Sequence, residues 1–485
     1  MFRALPLLLT LPYALSHFTR AARPLLLLLA LVCSSSWATL PAPVVEALKA
    51  AQIPASSLGL VVQAVDSPQP LIRHNADQVM NPASVMKLLT TYAALEILGP
   101  AHTWQTTLLS EHPAVNGQIA GNLYLQGSGD PRLTREHLWQ ALRQLRVRGI
   151  QQIQGDFVVD RSIFASEAFD PALFDNKPLR AYNVGPNGLL LDFQALRFTL
   201  NAQPEQVSIW LETPLADLTL TNRLRPQKGP CPADWRDRIS LTHQPDTGQL
   251  LITGTYAPAC GERSVNLAPL AAETHTDGLL RHLWQEMGGR LQGKVRNGLT
   301  PAGATVLARH ESAPLTEIIR DINKLSNNVM ARQLFLSLDS RQPASNEGAR
   351  ERVHHWLTGR GLNFPELVVD NGSGLSRQER ISAANMNRLL LDAWQNPLMP
   401  EFIASLPLSG IDGTMKKRLN GNPAAGRAHI KTGTLNGVRT AAGYLIDQHG
   451  RRYALTVFIN DPRAADAAPI VDALLNWLTL RAASN

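Results

Sequence analysis

Only three cysteines occur in 485 residues, and one of them, Cys33, falls in a leader-like N-terminal stretch. A dense disulfide framework is thereby excluded. The 13 histidines fall in no ligand spacing such as His-Glu-x-x-His, and His354-His355 reads as a lone pair on a surface helix. A metal centre is not expected on those grounds. There is no basic block interleaved with aromatics, the usual nucleic-acid signature. Past the first forty residues, no stretch is long and apolar enough to cross a bilayer, which takes about 20 apolar residues. Internal repeats and low-complexity tracts are absent too. Charge of neither sign dominates, since 46 Lys and Arg against 39 Asp and Glu leave +7. That surplus suits an anionic neighbour, a cell-wall polymer or a loosely held membrane surface, and equally plain solubility.

What is present begins with an export signal. Arg3, Arg20 and Arg23 supply a positive flank, Leu25 to Val32 an apolar core, and Ser36-Trp37-Ala38 a small-x-small cleavage site. Cleavage after Ala38 is expected, although a second apolar patch from Leu5 to Leu15 leaves the true translation start open. Removal of the leader takes Cys33 with it. Cys231 and Cys260 remain, in turn-like sequence beside Pro230, Pro232 and Gly261. An even pair in an exported chain points to a structural disulfide, one able to stabilise by about 3–4 kcal/mol, with two free buried thiols as the alternative.

The apolar content of 44% and charged content of 18% describe an ordinary globular chain, long enough for two or three domains. Its texture changes twice. Asn81 fits an N-cap and Pro82 a first helical turn, so a helix is expected from Ala83 to Leu98, where Gly99-Pro100 stops it. From about 101 to 300, short alternating runs punctuated by Gly, Pro, Asn and Asp predict a mostly β region with one helix over Glu136 to Arg148. After about 301 helical spacing returns over 315–321, 327–338, 346–359 and 383–396. His429 to Thr434 and Val438 to Ile446 then read as strands joined at Leu435-Asn436-Gly437, a strong hairpin signal. Because the two ends share one texture, an insertion at 101–300 into a single parent domain, 39–100 and 301–485, is expected.

Three short motifs occur in order: Ser84-Val-Met-Lys87, Ser326-Asn-Asn328 and Lys431-Thr-Gly433. Each alone arises easily by chance, but their order and settings point to serine acyl transfer. A serine hydroxyl needs a neighbouring base, and Lys87 serves only if desolvation or nearby positive charge keeps its amine neutral. Ser84 at a helix start offers its own amide as half of an oxyanion hole, with the Thr434 amide as the other half. Lys431 is expected to bind a substrate carboxylate and to help keep Lys87 neutral. Ser326 would relay a proton to the leaving amine, and Asn328 would orient Lys87 or the substrate amide. The hydroxyls of Thr432 and Thr434, flanking Gly433, are placed to hold a terminal carboxylate.

The three motifs resemble those of the penicillin-binding proteins and serine β-lactamases. The long gap from Lys87 to Ser326 resembles that of the D-alanyl-D-alanine carboxypeptidase/endopeptidases, peptidase family S13. Further segments are similar: Gly121 to Pro131, Asp160-Arg-Ser-Ile-Phe164, Asp370-Asn-Gly-Ser-Gly-Leu-Ser-Arg377 and Leu408 to Thr414. The resemblance implies an α/β (α+β) penicillin-binding-protein/β-lactamase-like transpeptidase domain with a large, mostly β insertion. It also implies hydrolysis of the terminal D-Ala–D-Ala bond and of D-Ala–diaminopimelate cross-links of peptidoglycan through an acyl-enzyme on Ser84. Acylation by β-lactams, no cofactor and a periplasmic Gram-negative setting come with it. In relatives the segment after Phe164 carries tryptophan and acidic residues bordering the substrate. Here it reads Phe174-Asp-Asn-Lys177, which leaves Asp175 to hold an amine of the cross-linking residue. A serine β-lactamase and a non-catalytic wall-binding protein are the alternative readings. The oligomeric state, a homodimer included, is left open.

Overall fold

The computed structural model describes residues 40–482, and the expected export signal at 1–38 lies outside them. At its centre is an antiparallel five-stranded sheet in the order Ala428–Leu435, Val438–Ile446, Arg452–Asn460, Leu58–Ala64, Ile72–His74. Strand alternation sends Leu455, Val457 and Ile459 to one face and Ala454 and Phe458 to the other. The first set packs with the helices Ala42–Ala50 and Ala468–Leu480 through Val44, Leu48, Leu474 and Leu478. The second joins a helical layer through Leu88, Leu89, Tyr92, Ile318, Leu334 and Leu389. Both faces are covered, so these strands read as nearly continuous apolar runs.

The stretch between these two parts of the chain is itself nested. Gln105–Ser110 leaves the helical layer, and Thr305–Glu311 returns antiparallel beside it. They share a sheet with Leu123–Gln126, Phe157–Asp160 and Val295–Asn297, on which the helices Arg135–Val147 and Ala272–Glu286 pack through Leu138, Leu142, Leu279 and Leu283. Within this lie two three-stranded sheets, one of Val207–Leu211, Leu196–Ala202 and Arg263–Leu267, the other of Thr219–Pro226, Gln249–Tyr256 and Ile239–Gln244. They enclose a core of Phe198, Leu250, Ile252 and Tyr256. Cys231 and Cys260 are joined as a disulfide at its rim.

In this region two elements differ from the sequence reading. The strand Thr305–Glu311 lies where the helical texture is expected to resume. Only Ala308 of its seven residues is buried, so it lacks the alternation that marks a strand. The helix Ala272–Glu286 falls in the region read as β, because Thr, His and Gly in its first half are weak helix formers. Among the described residues, no helix is long and apolar enough to cross a membrane.

Candidate active site

The expected helix start at Ala83 takes a different form. Ala83–Met86 is a tight 3-10 turn, and the α-helix begins only at Lys87 and runs to Ile97. Asn81 does not cap the α-helix. Its Oδ1 accepts from the Ala83 amide at 2.8 Å, its Nδ2 donates to the Ser376 carbonyl, and its own amide donates to Asn460 Oδ1. Ala83 is thereby held at a left-handed φ of 45°. The consequence is local: in a 3-10 turn, side chains three apart eclipse. Lys87 Nζ accordingly lies 3.1 Å from Ser84 Oγ.

Lys87 is completely buried, whereas Ser84 is half-buried. The amine donates to Asn328 Oδ1 at 2.6 Å and to the Ser373 carbonyl. Burial first, then the charge of Lys431, holds the Lys87 amine well below its usual range; Glu379 opposes this and Arg332 adds to it. A neutral amine has two hydrogens and one lone pair. Both hydrogens face groups that can only accept, so the lone pair is left for the Ser84 hydroxyl.

The second motif bridges two helices. Ser326 ends Leu315–Leu325 in a left-handed conformation, φ 56°, and Asn327 caps the helix Asn328–Leu336 by accepting from the Met330 amide. Asn328 is thus the first residue of its helix and faces Lys87. Lys431 comes from the sheet's edge strand, fully buried, and donates to Ser326 Oγ at 2.9 Å and to the Thr432 carbonyl at 2.7 Å. Burial pushes its amine down to about 7. All three motifs therefore meet, through Lys87–Ser84, Lys87–Asn328 and Lys431–Ser326.

The edge strand also presents amides. Ile430 N–H bonds the Pro407 carbonyl, outside the sheet. Alternation then turns the Thr432 and Thr434 amides to the same free edge. Gly433 lies against the nucleophile turn: a Cβ there would sit 2.2 Å from Thr440 Oγ1 and 2.9 Å from Ser84 N. Thr440 Oγ1 in turn donates to the Pro82 carbonyl. Thr434 Oγ1 accepts from Arg439 Nη1 at 2.9 Å, which leaves its hydrogen free, and Thr432 Oγ1 bonds Thr414 Oγ1 at 2.8 Å.

Asp175 lies outside this cluster. Its Oδ2 accepts from Tyr182 OH at 2.7 Å and its Oδ1 from Asn183 Nδ2 at 2.8 Å, closing a turn. The neighbouring Phe174 reaches the site, packing with Ala83, Leu375, Leu435 and Val438 under the Arg377 guanidinium. Sequence reasoning treats Ser373 as a loop former and passes over Arg332 and Glu379, yet all three surround Lys87. The one available signal is Arg332, four residues after Asn328 and so on the same helix face. Among the described residues, no group of three or more His, Cys, Asp or Glu is placed to hold a metal.

Known proteins resemble this chain in sequence and in fold. Residues 40–480 match the D-Ala-D-Ala carboxypeptidase 3 (S13) family. A D-alanyl-D-alanine carboxypeptidase of Actinomadura sp. is 30% identical over 412 residues, 81% of this chain and 76% of that protein. The D-alanyl-D-alanine carboxypeptidase DacB of Haemophilus influenzae is 26% identical over 422 residues, 85% of this chain and 87% of the relative. The crystal structure of penicillin-binding protein 4 from Haemophilus influenzae superposes with a TM-score of 0.77 at 24% identity, covering 90% of this chain and 99% of that one. The architecture is thus the penicillin-binding-protein fold expected from the motifs. The chain belongs to the D-Ala-D-Ala carboxypeptidase 3 (S13) family and is a hydrolase.

Proposed function

We propose that the protein is a serine DD-peptidase that removes the terminal D-alanine of peptidoglycan stem peptides and cuts D-Ala–diaminopimelate cross-links. One observation carries the reading: a buried, proton-poor Lys87 amine stands 3.1 Å from Ser84 Oγ with its hydrogens committed elsewhere. Lys87 takes the Ser84 proton as Oγ attacks the carbonyl carbon of the penultimate D-alanine. The oxyanion is held by the amides of Ser84 and Thr434. Ser326, bonded to Lys431, relays the proton taken by Lys87 to the departing amine, and Lys431 with the Thr432 and Thr434 hydroxyls holds the carboxylate of the leaving D-alanine. Water then hydrolyses the Ser84 ester. Gly433 lets the strand approach closely enough for both amides to serve one oxygen.

A β-lactam, whose strained amide copies the substrate bond, acylates Ser84 by the same route. The β-lactam complex solved for the Haemophilus influenzae penicillin-binding protein 4, 25% identical with a TM-score of 0.73, supports this. Phe174 packs beside the nucleophile turn, and Asp175 next to it would reach the amine of a cross-linking residue only through Oδ2, which already accepts from Tyr182. The same reading puts the protein outside the cytoplasmic membrane, in the periplasm, after loss of the export signal.

Mass analysis of purified cross-linked muropeptides after incubation tests the substrate. Loss of dimers marks the endopeptidase, loss of terminal D-alanine alone restricts it to a carboxypeptidase, and neither change overturns the proposal. A further expected result concerns Gly433. In Gly433→Ala the added methyl forces the strand off Ser84, and a misplacement of that size slows penicillin acylation by about 100-fold. Time courses of labelling by fluorescent penicillin measure it.

A further inference from the structure

Beneath Lys87 lies a carboxylate that the proposed chemistry does not use. Glu379 is completely buried, and its Oε1 accepts from the amides of Asn371 at 3.3 Å and Gly372 at 3.1 Å. Its Oε2 has no hydrogen-bond partner among the described residues. A buried carboxylate with one bare oxygen is costly, and such sites are kept where the charge acts on something nearby.

The two amides belong to a turn that cradles the nucleophile. Asn371 Oδ1 accepts from both the Ser373 amide and its hydroxyl, and Ser373 Oγ accepts from the Leu375 amide. Thr90, on the Lys87 helix, donates to the Gly372 carbonyl at 2.6 Å. Gly374 presses on the Ser84 turn so closely that a Cβ would lie 2.1 Å from the Ala83 carbonyl oxygen. The carbonyl of Ser373, between them, receives the Lys87 amine. Fixing this turn therefore fixes one of the two acceptors that aim the Lys87 lone pair.

Charges face Glu379 from every side. Lys87 comes from the nucleophile helix, Arg332 from the helix Asn328–Leu336, and Asp370 precedes the turn. Arg350, from the helix Asn346–Gly359, bonds the Asp370 carbonyl, and Lys431 faces Lys87 from the strand. Arg332 is itself pinned by the Tyr182 and Val184 carbonyls, so it cannot swing to neutralise Glu379 outright.

We infer that Glu379 is a positioning residue for Lys87: it holds the Asn371–Gly374 turn so that the Ser373 carbonyl meets the Lys87 amine, and its negative charge sets the pH at which that amine loses its proton. The inference rests on Lys87 being the base for Ser84. Burial also pushes the Glu379 carboxyl up to about 7, so its charge and that of Lys87 titrate as a pair. The direction of the effect is fixed by sign. An ionised Glu379 favours the Lys87 ammonium, whereas Arg332 and Lys431 disfavour it. Removing the negative charge lets the amine stay neutral to lower pH.

Second-order rates of acylation by fluorescent penicillin, measured from pH 5 to 9 for wild type, Glu379→Gln and Glu379→Ala, test this. Glutamine retains an acceptor for both amides, so Glu379→Gln is expected to keep the alkaline plateau within about threefold while its acid limb moves to lower pH by about one unit. Glu379→Ala loses the turn as well, and its plateau falls by about tenfold or more. A Glu379→Gln profile with the wild-type midpoint overturns the inference, whether or not its plateau falls. Absence of acylation in the wild type would instead overturn the assignment of Ser84 and Lys87.

Discussion

Ser84→Ala protein is expected to carry no covalent penicillin, while wild type gains one adduct per chain by intact-protein mass. The fold should survive the change. Ser84 is half-buried, and among the described residues its hydroxyl is bonded to the Lys87 side chain alone. Losing one such bond costs about 1 kcal/mol. The backbone of the turn is held by other groups: Asn81 with Ser376 and Asn460, and Thr440 with the Pro82 carbonyl. An unchanged circular-dichroism spectrum together with lost labelling separates removal of the nucleophile from loss of structure. A labelled Ser84→Ala protein would place the nucleophile elsewhere.

Lys87→Met is the second large effect, with Ser84 still in place but without its base. General-base catalysis contributes about 10²- to 10⁴-fold, so penicillin acylation should fall by that factor. Its pH dependence should also disappear from the acid side. In the wild type the rate is expected to fall as pH drops through the depressed Lys87 value, because a protonated amine cannot accept the Ser84 proton. Stability follows the same sign. A lysine held neutral when folded binds fewer protons than when unfolded, so it costs stability at neutral pH, and this cost shrinks as pH rises. Methionine removes that cost but leaves Asn328 Oδ1 and the Ser373 carbonyl without a donor, about 1–3 kcal/mol. The opposing terms leave a folded, inert protein. Rapid acylation of Lys87→Met at pH 8 would sink the role given to Lys87.

Much of the site was legible because it is written in three short stretches whose residue types the chemistry demands. The hairpin was equally plain: Val438–Ile446 has the bounds expected from its apolar run, since both faces of that strand are covered. Other features were hidden for physical reasons. The 3-10 turn at Ala83–Met86 follows an Asn-Pro pair that also suits a helix start, and besides Asn81 the contacts that tighten it, from Asn460, Gly374 and Gly433, are distant in sequence. Glu379 reads as one more polar residue among Gln378, Glu379 and Arg380; that it is buried beside Lys87 depends on how the turn folds back. Asp175 looked like a free carboxylate, and its bonds to Tyr182 and Asn183 come from the shape of a loop that local pattern does not specify.

The pairing of Asn81 with Asn460 spans 379 positions, and Leu58 lies opposite Ile459 in the sheet. A chain made from its N-terminus therefore exposes Ser84 long before the strand that seats it exists. The sheets between residues 101 and 311 close on partners nearer in sequence, whereas the five-stranded sheet needs the Arg452–Asn460 strand. The seat of Ser84 is therefore complete only when residues close to the far end of the chain are present.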